Sequence, residues 1–401
     1  MKLRAKAARL AVLLVPALAL AAPAFAQDIA VAPQLSDSQE PGSVIVFPKF
    51  IQGSVALPEG GRAPTTELEV GIVCPKGATC TEHQPVKIRF HWVCGTTQAN
   101  QATSFVCKET DFDITGTVYE KIVLTPNGEP ISTYTGGLPN HFSPPPGCLQ
   151  GGGYLIGWVI NPANDQPVKF DGLIGDAHLR PGGGTLGSPT ALADYDAIPI
   201  QAVSGLATFP AAGSAITTGT GGAILFDGLD NHYKAVTGQV LGDVRYSNLT
   251  TGPTFTQGRL TLLTLDVLSN RPNNPTYVDL DFFGGNPSTI GNENQLSTST
   301  EFICWEEVSL PGISSALTTT VMGRKGVFTS GQAVKVAFEG VADTVGPVTL
   351  LGLSEVLEGG TFPGNPTPAS VWPRASFTDL FNSSVPVPTS FVPTPSPNPL
   401  P

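Results

Sequence analysis

Charged side chains are scarce in this sequence, since Asp, Glu, Lys and Arg together account for 13% of its 401 residues. A typical soluble domain carries about 25%, and such a shortage argues against long solvated helices and coiled coils. Residues that break regular backbone structure are abundant instead, with 45 glycines and 38 prolines. Many short segments joined by Gly- and Pro-containing turns are typical of strands. We therefore predict an all-β fold of antiparallel sandwich-like domains.

Long apolar runs are absent after residue 26, so we predict no transmembrane segment in the mature chain. Residues 1–26 instead have the pattern of a secretory signal peptide. A leader with four basic residues precedes the apolar run 10–20, and Ala24 and Ala26 occupy the two positions that a signal peptidase reads. The prediction is a secreted protein that is extracellular or bound to the cell surface, with the periplasm as the alternative location.

Positive charge is also in short supply. Removal of residues 1–26 takes four of the 21 basic residues and none of the 32 acidic ones, so the formal charge falls from -11 to -15. An acidic surface repels a phosphate backbone, and the chain has no basic patch with interleaved aromatic residues. We expect no nucleic-acid partner. Expected partners are other extracellular proteins, further copies of this chain or surface polysaccharide.

Sequence motifs of common enzyme classes are missing. The chain has no Gly-x-Ser-x-Gly elbow, no His-Glu-x-x-His pair and no Walker A loop. Residues 182–187 fit Gly-x-Gly-x-x-Gly, but Pro181 and Pro189 stand where a dinucleotide site needs a strand and a helix. We interpret this run as a loop, and we predict no catalytic residue from any of these motifs.

Cys-x-x-Cys pairs, which are typical of zinc sites, are absent as well. Six cysteines in an exported chain indicate three disulfides, among fifteen conceivable connectivities. The six are Cys74, Cys80, Cys94, Cys107, Cys148 and Cys304. Their spacing suggests two local loops, Cys74–Cys80 and Cys94–Cys107. The hypothesis leaves Cys148–Cys304 as a long-range tie between domains.

Period-two alternation of apolar and polar residues predicts strands in both halves of the mature chain. In the segment 86–94, even-numbered residues are apolar while Lys87, Arg89 and His91 alternate with them. A short helix capped by Ser188 is predicted before residue 197. The predicted organisation is a disulfide-stapled sandwich over 27–140, a Pro/Gly linker over 141–152, a second sandwich-like domain over 153–375 and a disordered Pro-rich tail over 376–401.

Four short segments carry a resemblance to known sequences. The mature chain begins near Gly-Ser-Val-Ile-Val-Phe-Pro-Lys-Phe at 42–50, and Gly-Tyr-Leu-Ile-Gly-Trp follows at 153–158. Phe-Asp-Gly-Leu-Ile-Gly-Asp occupies 170–176, and Asp-Ala-Ile-Pro-Ile-Gln-Ala occupies 196–202. Together they resemble a group of uncharacterised secreted bacterial β-proteins over roughly residues 42–202. The resemblance implies export and β structure, and it implies no chemistry because the group has no assigned activity.

Paired carboxylates are the main candidate site residues. Asp-x-Asp pairs occur at 111/113, 194/196 and 279/281, and alternate residues of a strand point to the same face. If strand 260–268 pairs with strand 276–283 as a hairpin, Asp266 joins Asp279 and Asp281 on the outer face. Three carboxylates together with loop carbonyls would hold Ca²⁺, which is the cofactor that this pattern suggests. The competing interpretation is an acidic, solvated sheet face.

The same carboxylates would also serve glycoside cleavage if a sugar-binding cleft lay beside them, together with Glu306 or Glu307. Trp305 would then stack on a sugar, although a Trp beside a cysteine is more often part of a core. Two Asp-Gly segments that each precede a histidine, Asp171 with His178 and Asp227 with His232, are interpreted as turns rather than as Asp–His pairs.

These observations predict a non-enzymatic protein that acts at the cell surface or in the extracellular matrix, in interaction or adhesion. The alternative is a secreted polysaccharide-acting hydrolase or carbohydrate-binding module that uses an acidic sheet face.

Overall fold

Twenty-two β-strands, with one 3-10 turn at Thr220–Gly222 and no α-helix, form the described part of a computed structural model of the chain. The antiparallel pairing of the strands and their layers confirm the all-β, sandwich-like prediction. The strands are β1 Val44–Ile51, β2 Thr65–Ile72, β3 Pro85–Cys94, β4 Lys108–Thr117, β5 Lys121–Leu124, β6 Gly152–Ile160, β7 Leu173–Arg180, β8 Ala193–Asp196, β9 Ile198–Ile200, β10 Ile224–Phe226, β11 Val236–Thr237, β12 Gln239–Val244, β13 Thr254–Leu263, β14 Thr276–Phe283, β15 Leu296–Phe302, β16 Trp305–Ser309, β17 Arg324–Lys335, β18 Ala342–Thr344, β19 Leu351–Gly360, β20 Arg374–Asp379, β21 Pro386–Val387 and β22 Thr389–Phe391.

The structure describes only part of the chain, and the predicted signal peptide lies outside that part. Within the described residues, no helix is long and apolar enough to span a membrane. The described ranges are 34–37, 39–51, 65–94, 107–126, 152–180, 193–203, 215–237, 239–244, 254–265, 276–283, 296–302, 304–309, 324–335, 342–344, 349–360, 374–379, 386–387 and 389–391.

A five-stranded sheet in the order β4-β3-β6-β1-β9 lies at the centre of the fold. Its middle strand β6 is buried along its whole length, as its sequence Gly-Gly-Tyr-Leu-Ile-Gly-Trp-Val-Ile suggests. The glycines permit close approach of the neighbouring strands, because a Cβ at Gly153 would clash with the carbonyl oxygen of Val93. The central sheet can therefore be covered on both faces.

One face of the central sheet packs against a second sheet with the order β5-β2-β7-β8. The apolar residues that alternate along β3, among them Ile88, Phe90 and Trp92, meet Leu68 and Val70 of β2 in this first core. Strand alternation therefore predicted the buried face of β3 correctly. On the opposite face Lys87 and Arg89 are partly exposed, while His91 is buried.

A second core covers the other face of the central sheet. Tyr154, Ile156 and Trp158 of β6 project into it and meet Phe226 of β10 and Phe391 of β22. Strand β22 pairs with β10, and β21 pairs with β11, in two short two-stranded sheets. Residues 386–387 and 389–391 were predicted to belong to a disordered tail, but they form β21 and β22, and Phe391 is fully buried.

The remaining strands form two further sheets. One has the order β12-β17-β14-β15, with β18 pairing at the end of β17, and the other has the order β16-β13-β19-β20. Leu263, Leu265, Trp305 and Leu351 connect the latter sheet to the second core, so its residues share a core with β6.

Strand pairing crosses the predicted linker at 141–152. Strand β6 pairs with β1 and β3, and β7 pairs with β2, so residues before and after the linker share two sheets. The division of the chain at this point therefore does not coincide with a boundary between sheets. The helix predicted to begin at Ser188 is wrong for residues 193–196, which form β8 and pair with β7.

Of the three predicted disulfides, one forms in the structure. Cys74 bonds to Cys80 as expected. Cys107 bonds to Cys304 instead, so the predicted Cys94–Cys107 and Cys148–Cys304 bonds are wrong. The spacing argument failed because burial in the second core brings Cys107 and Cys304 together across 197 positions of sequence. Cys94 is also disulfide-bonded, and Cys148 lies outside the described residues.

Candidate functional site

The acidic group predicted at Asp266, Asp279 and Asp281 depended on a hairpin that does not form. Strand β13 pairs with β16 and β19, whereas β14 pairs with β15 and β17. Asp279 and Asp281 occupy alternate positions of β14, but their side chains and the whole of Asp266 lie outside the described part of the structure. Where side chains are described, no group of three or more His, Cys, Asp or Glu residues is placed to hold a metal ion.

Trp305 and Glu307 have structural partners. Trp305 is buried, and its indole N–H donates to the carbonyl oxygen of Pro48 at 2.9 Å, which agrees with the core interpretation. The Glu307 carboxylate lies 2.6 Å from the ammonium group of Lys49, whose side chain is fully buried. A buried charge needs such a partner. Both contacts attach β16 to the irregular segment of β1 between Phe47 and Phe50.

In the Asp111/Asp113 pair of β4, Asp113 is paired with basic residues of β3. Asp113 accepts a two-point contact from the Arg89 guanidinium at 2.8 and 3.0 Å, and Lys87 lies 2.9 Å from the same carboxylate. Partial burial acts to raise the pKa of Asp113, but the two basic partners outweigh it and lower the pKa. Asp165 adds a second carboxylate 2.8 Å from Lys87. We conclude that Asp113 stabilises the pairing of β3 with β4.

The two Asp-Gly segments differ in structure. Gly228 has a positive φ of 74°, and Asp227 accepts a hydrogen bond from the Leu229 amide, which confirms a turn at the second segment. His232 Nδ1 nevertheless lies 2.8 Å from Asp227, so the turn also contains an Asp–His pair. In the first segment Asp171 accepts hydrogen bonds from Ser43 Oγ and from a backbone amide. Burial raises the pKa of Asp171 despite these donors.

Among the described residues, several carboxylates come together on the outer face of β2, β7 and β8. Glu69 stands opposite Asp176, Asp176 stands opposite Asp196, and on the same strands His178 stands opposite Asp194. We call these five residues the acidic face. Directly opposite residues in an antiparallel pair place their Cβ atoms about 5 Å apart. Glu69, Asp176 and Asp196 therefore form one row across the three strands, and His178 and Asp194 lie in the next row.

Two basic side chains contact the carboxylates of the acidic face, namely its own His178 and the neighbouring Lys121. His178 Nδ1 lies 2.7 Å from Asp194, and its Nε2 lies 3.5 Å from Glu69. Burial would lower the pKa of His178, but the carboxylates of Asp194 and Glu69 outweigh burial and raise it. Lys121 lies 2.7 Å from Glu69. Partial burial of Glu69 acts to raise its pKa, and Lys121 and His178 reverse this and lower it.

The pKa of Asp176 shifts in the opposite direction to the pKa of Glu69. Burial and then the neighbouring carboxylate of Asp196 raise the pKa of Asp176. Neighbouring carboxyl groups whose pKa values are pushed apart are the arrangement that separates a general acid from a base or nucleophile. The Asp194/Asp196 pair was visible in the sequence. The contribution of Glu69, Asp176 and His178 was missed because it depends on the pairing of β2 with β7.

A buried group of aromatic and polar side chains lies at the second core. His91 stacks on Trp158 with ring centroids 4.6 Å apart, and the ring of Phe391 is T-shaped to both, with centroid separations of 5.4 and 5.7 Å. His91 Nδ1 also contacts the Glu109 carboxylate, and both side chains are almost fully buried. Residues from β3, β4, β6 and β22 meet here, so this group joins β22 to the central sheet.

Comparison with known proteins shows little similarity. No known protein family and no curated protein sequence matches the chain. Among solved structures, the infectious bursal disease virus VP2 subviral particle is 10% identical, with 84% of this chain and 71% of that chain covered and a TM-score of 0.14. The N-terminal CBM22-1-CBM22-2 tandem domain of Paenibacillus barcinonensis Xyn10C is 11% identical, with 80% and 98% covered and a TM-score of 0.14. Such low TM-scores carry no argument about function.

Proposed function

We propose that the chain is a non-enzymatic exported protein that acts as a durable interaction or adhesion scaffold at the cell surface or in the extracellular matrix. The observation that carries this proposal is the Cys107–Cys304 bond, which joins positions 197 residues apart inside the second core. Disulfides form and persist in oxidising compartments. Because Cys107 and Cys304 are both buried, soluble reductants have little access to their sulfur atoms.

The low content of charged residues and the pairing of the C-terminal strands support the same proposal. A surface with few charges presents hydroxyl, amide and backbone groups for contact with other macromolecules, and the chain carries only 13% charged residues. The C-terminal strands β21 and β22 pair with β11 and β10, so the last described part of the chain is held in the fold. A closed, cross-linked β-protein resists local unfolding and proteolysis.

Fractionation of cells that express the protein naturally tests the proposal. We expect the mature chain in a surface or sheared, high-mass fraction. Recovery as a soluble monomer in the medium or periplasm would contradict a structural role. A chain without residues 1–26 is the matched control, because it should stay in the cytoplasm if the predicted signal peptide directs export.

A second candidate function is a polysaccharide-acting hydrolase or carbohydrate-binding module, and the acidic face favours it. Glycoside hydrolysis uses two carboxyl groups about 5–9 Å apart, one of which holds its proton to a higher pH. Asp176 with a raised pKa stands opposite Glu69 with a lowered pKa. In this candidate Asp176 is the acid and Glu69 the nucleophile or base.

Reducing-sugar release from a panel of polysaccharides tests this second candidate. Asp176→Asn and Glu69→Gln should each abolish release, whereas the matched control Asp113→Asn, which alters a carboxylate on another sheet, should leave it unchanged. Retention on immobilised polysaccharide without release would indicate a binding module. The calcium site predicted at Asp266, Asp279 and Asp281 stays a prediction, and calorimetry of the chain and its Asp266→Asn/Asp279→Asn/Asp281→Asn variant with Ca²⁺ tests it.

A further inference from the structure

The C-terminal strands β22 and β21 pair with β10 and β11, beside the rings of His91 and Trp158. We call the surface formed by β10, β11, His91 and Trp158 the groove. In β22, Phe391, Ser390 and Thr389 pair with Ile224, Leu225 and Phe226 of β10, and the two residues of β21 pair with the two residues of β11. Both β10 and β11 have their strand partner, among the described strands, in this segment. The groove therefore offers two short rows of backbone donors and acceptors to an extended peptide.

An aromatic pocket lies at the end of this groove. The ring of Phe391 is fully buried, and it contacts the stacked rings of His91 and Trp158 in an edge-on geometry. Five residue pairs form the two ladders, and Phe391 is the buried apolar side chain of β22. Backbone pairing with a side chain in a pocket is the arrangement by which proteins bind an added strand.

The segment that fills the groove is suited to transfer between molecules. Residues 382–401 contain no Asp, Glu, Lys or Arg, so their side chains add no charge repulsion against an acidic second molecule. Seven of the last 17 residues are proline, and a proline-rich sequence favours an extended conformation, so the segment is suited to pairing as a strand once it leaves its own fold. The C-terminal segment of a second copy has the same sequence and therefore fits the same groove.

We propose that the groove of β10, β11, His91 and Trp158 is a strand-acceptor site whose ligand is the C-terminal segment of a second copy of this chain. Exchange of identical segments links copies through contacts that the fold already makes. Pro386 has no backbone N–H and is suited to an edge, so an accepted segment ends its sheet. The inference deepens the proposed scaffold function by naming a partner, and its biological use rests on that function.

Disulfide trapping tests the exchange with the full chain. Leu225 and Ser390 stand directly opposite each other and are both partly exposed. A Leu225→Cys chain is mixed with a Ser390→Cys chain, and we expect a disulfide-linked dimer on non-reducing gels. The matched control replaces Ser390→Cys with Ser376→Cys in β20, which pairs with β19, and should give no such dimer.

The doubly substituted chain, with Leu225→Cys and Ser390→Cys in one molecule, completes the test. If it closes internally while the mixed single variants give no dimer, the strand binds only its own molecule and the proposal is overturned. If it does not close, the register itself is refuted. Neither result bears on the scaffold proposal, because cell fractionation decides that separately.

A peptide of residues 382–401 measures the role of the aromatic pocket. A full chain with Phe391→Ala should bind the labelled peptide in fluorescence anisotropy, because its own strand is weakened. The same peptide with Phe391→Ala should bind about 100-fold more weakly, the effect expected from loss of a buried Phe side chain. Equal affinities of the two peptides would exclude Phe391 as the anchor.

Discussion

The two described disulfides should contribute unequally to stability, because they close loops of very different length. Cys107–Cys304 spans 197 positions and Cys74–Cys80 spans six. In the chain-entropy description, a loop of the first length stabilises the folded state by about 5 kcal/mol and a loop of the second by about 2 kcal/mol. Removal of the long-range bond should therefore cost about 3 kcal/mol more than removal of the local bond.

Packing acts in the same direction as loop length. Cys107 and Cys304 are buried in the second core, whereas Cys74 and Cys80 are partly buried at the margin of the first core. Replacement of each pair by alanine should leave a larger packing defect at the buried pair. The difference between the two double variants should thus be at least as large as loop entropy alone requires.

Equilibrium urea unfolding under non-reducing conditions measures the difference. The Cys107→Ala/Cys304→Ala chain is compared with the Cys74→Ala/Cys80→Ala chain, which is the matched control with the same number of changes. The denaturant slope should rise more in the former, because its unfolded chain exposes more surface. Equal losses of stability, or a larger loss in the control, would refute the loop-length argument.

Three further changes test local features. Asp113→Asn should lower the free energy of unfolding by about 1 kcal/mol at pH 7. The pKa of Asp113 is lowered in the fold, so this contribution is present above the unfolded pKa and disappears as pH falls through the folded value; acid and neutral melts check it. Asp176→Asn should instead raise the free energy of unfolding at pH 7 by about 0.5 kcal/mol, because it removes a carboxylate charge beside Asp196. The effect is small because solvent screens the repulsion between the two side chains. Because the pKa of Asp176 is raised, the wild-type chain loses stability as pH rises through the folded value, and a gain that persisted in acid would contradict this origin. Gly153→Ala should cost about 2–3 kcal/mol in urea unfolding, because its methyl group meets the Val93 carbonyl oxygen.

Local features of the fold could be predicted where neighbouring residues decide the outcome. The strand predicted over 276–283 coincides with β14. The alternation in β3 identified the residues of the first core, and six positions of separation sufficed to pair Cys74 with Cys80. In each case the interacting groups are close in sequence, so the pattern carries the information.

The acidic face shows where that information ends. The Asp194/Asp196 pair was evident in the sequence. No local pattern shows that β7 lies between β2 and β8, which is what places Asp176 and His178 beside these residues. The hairpin assumed for Asp266 failed for the same reason, since strands that are adjacent in sequence belong to different sheets.

The sequence by itself determined the class of fold, because scarce charge, frequent Gly and Pro and period-two alternation are properties that each strand carries alone. Only the tertiary structure decided which strands became neighbours. That decision joined Cys107 to Cys304, aligned the carboxylates of three strands and placed Phe391 against Trp158. Backbone hydrogen bonding is nearly the same for any pair of strands. Partner choice therefore depends on how complete side-chain layers pack, which is a property of the whole chain.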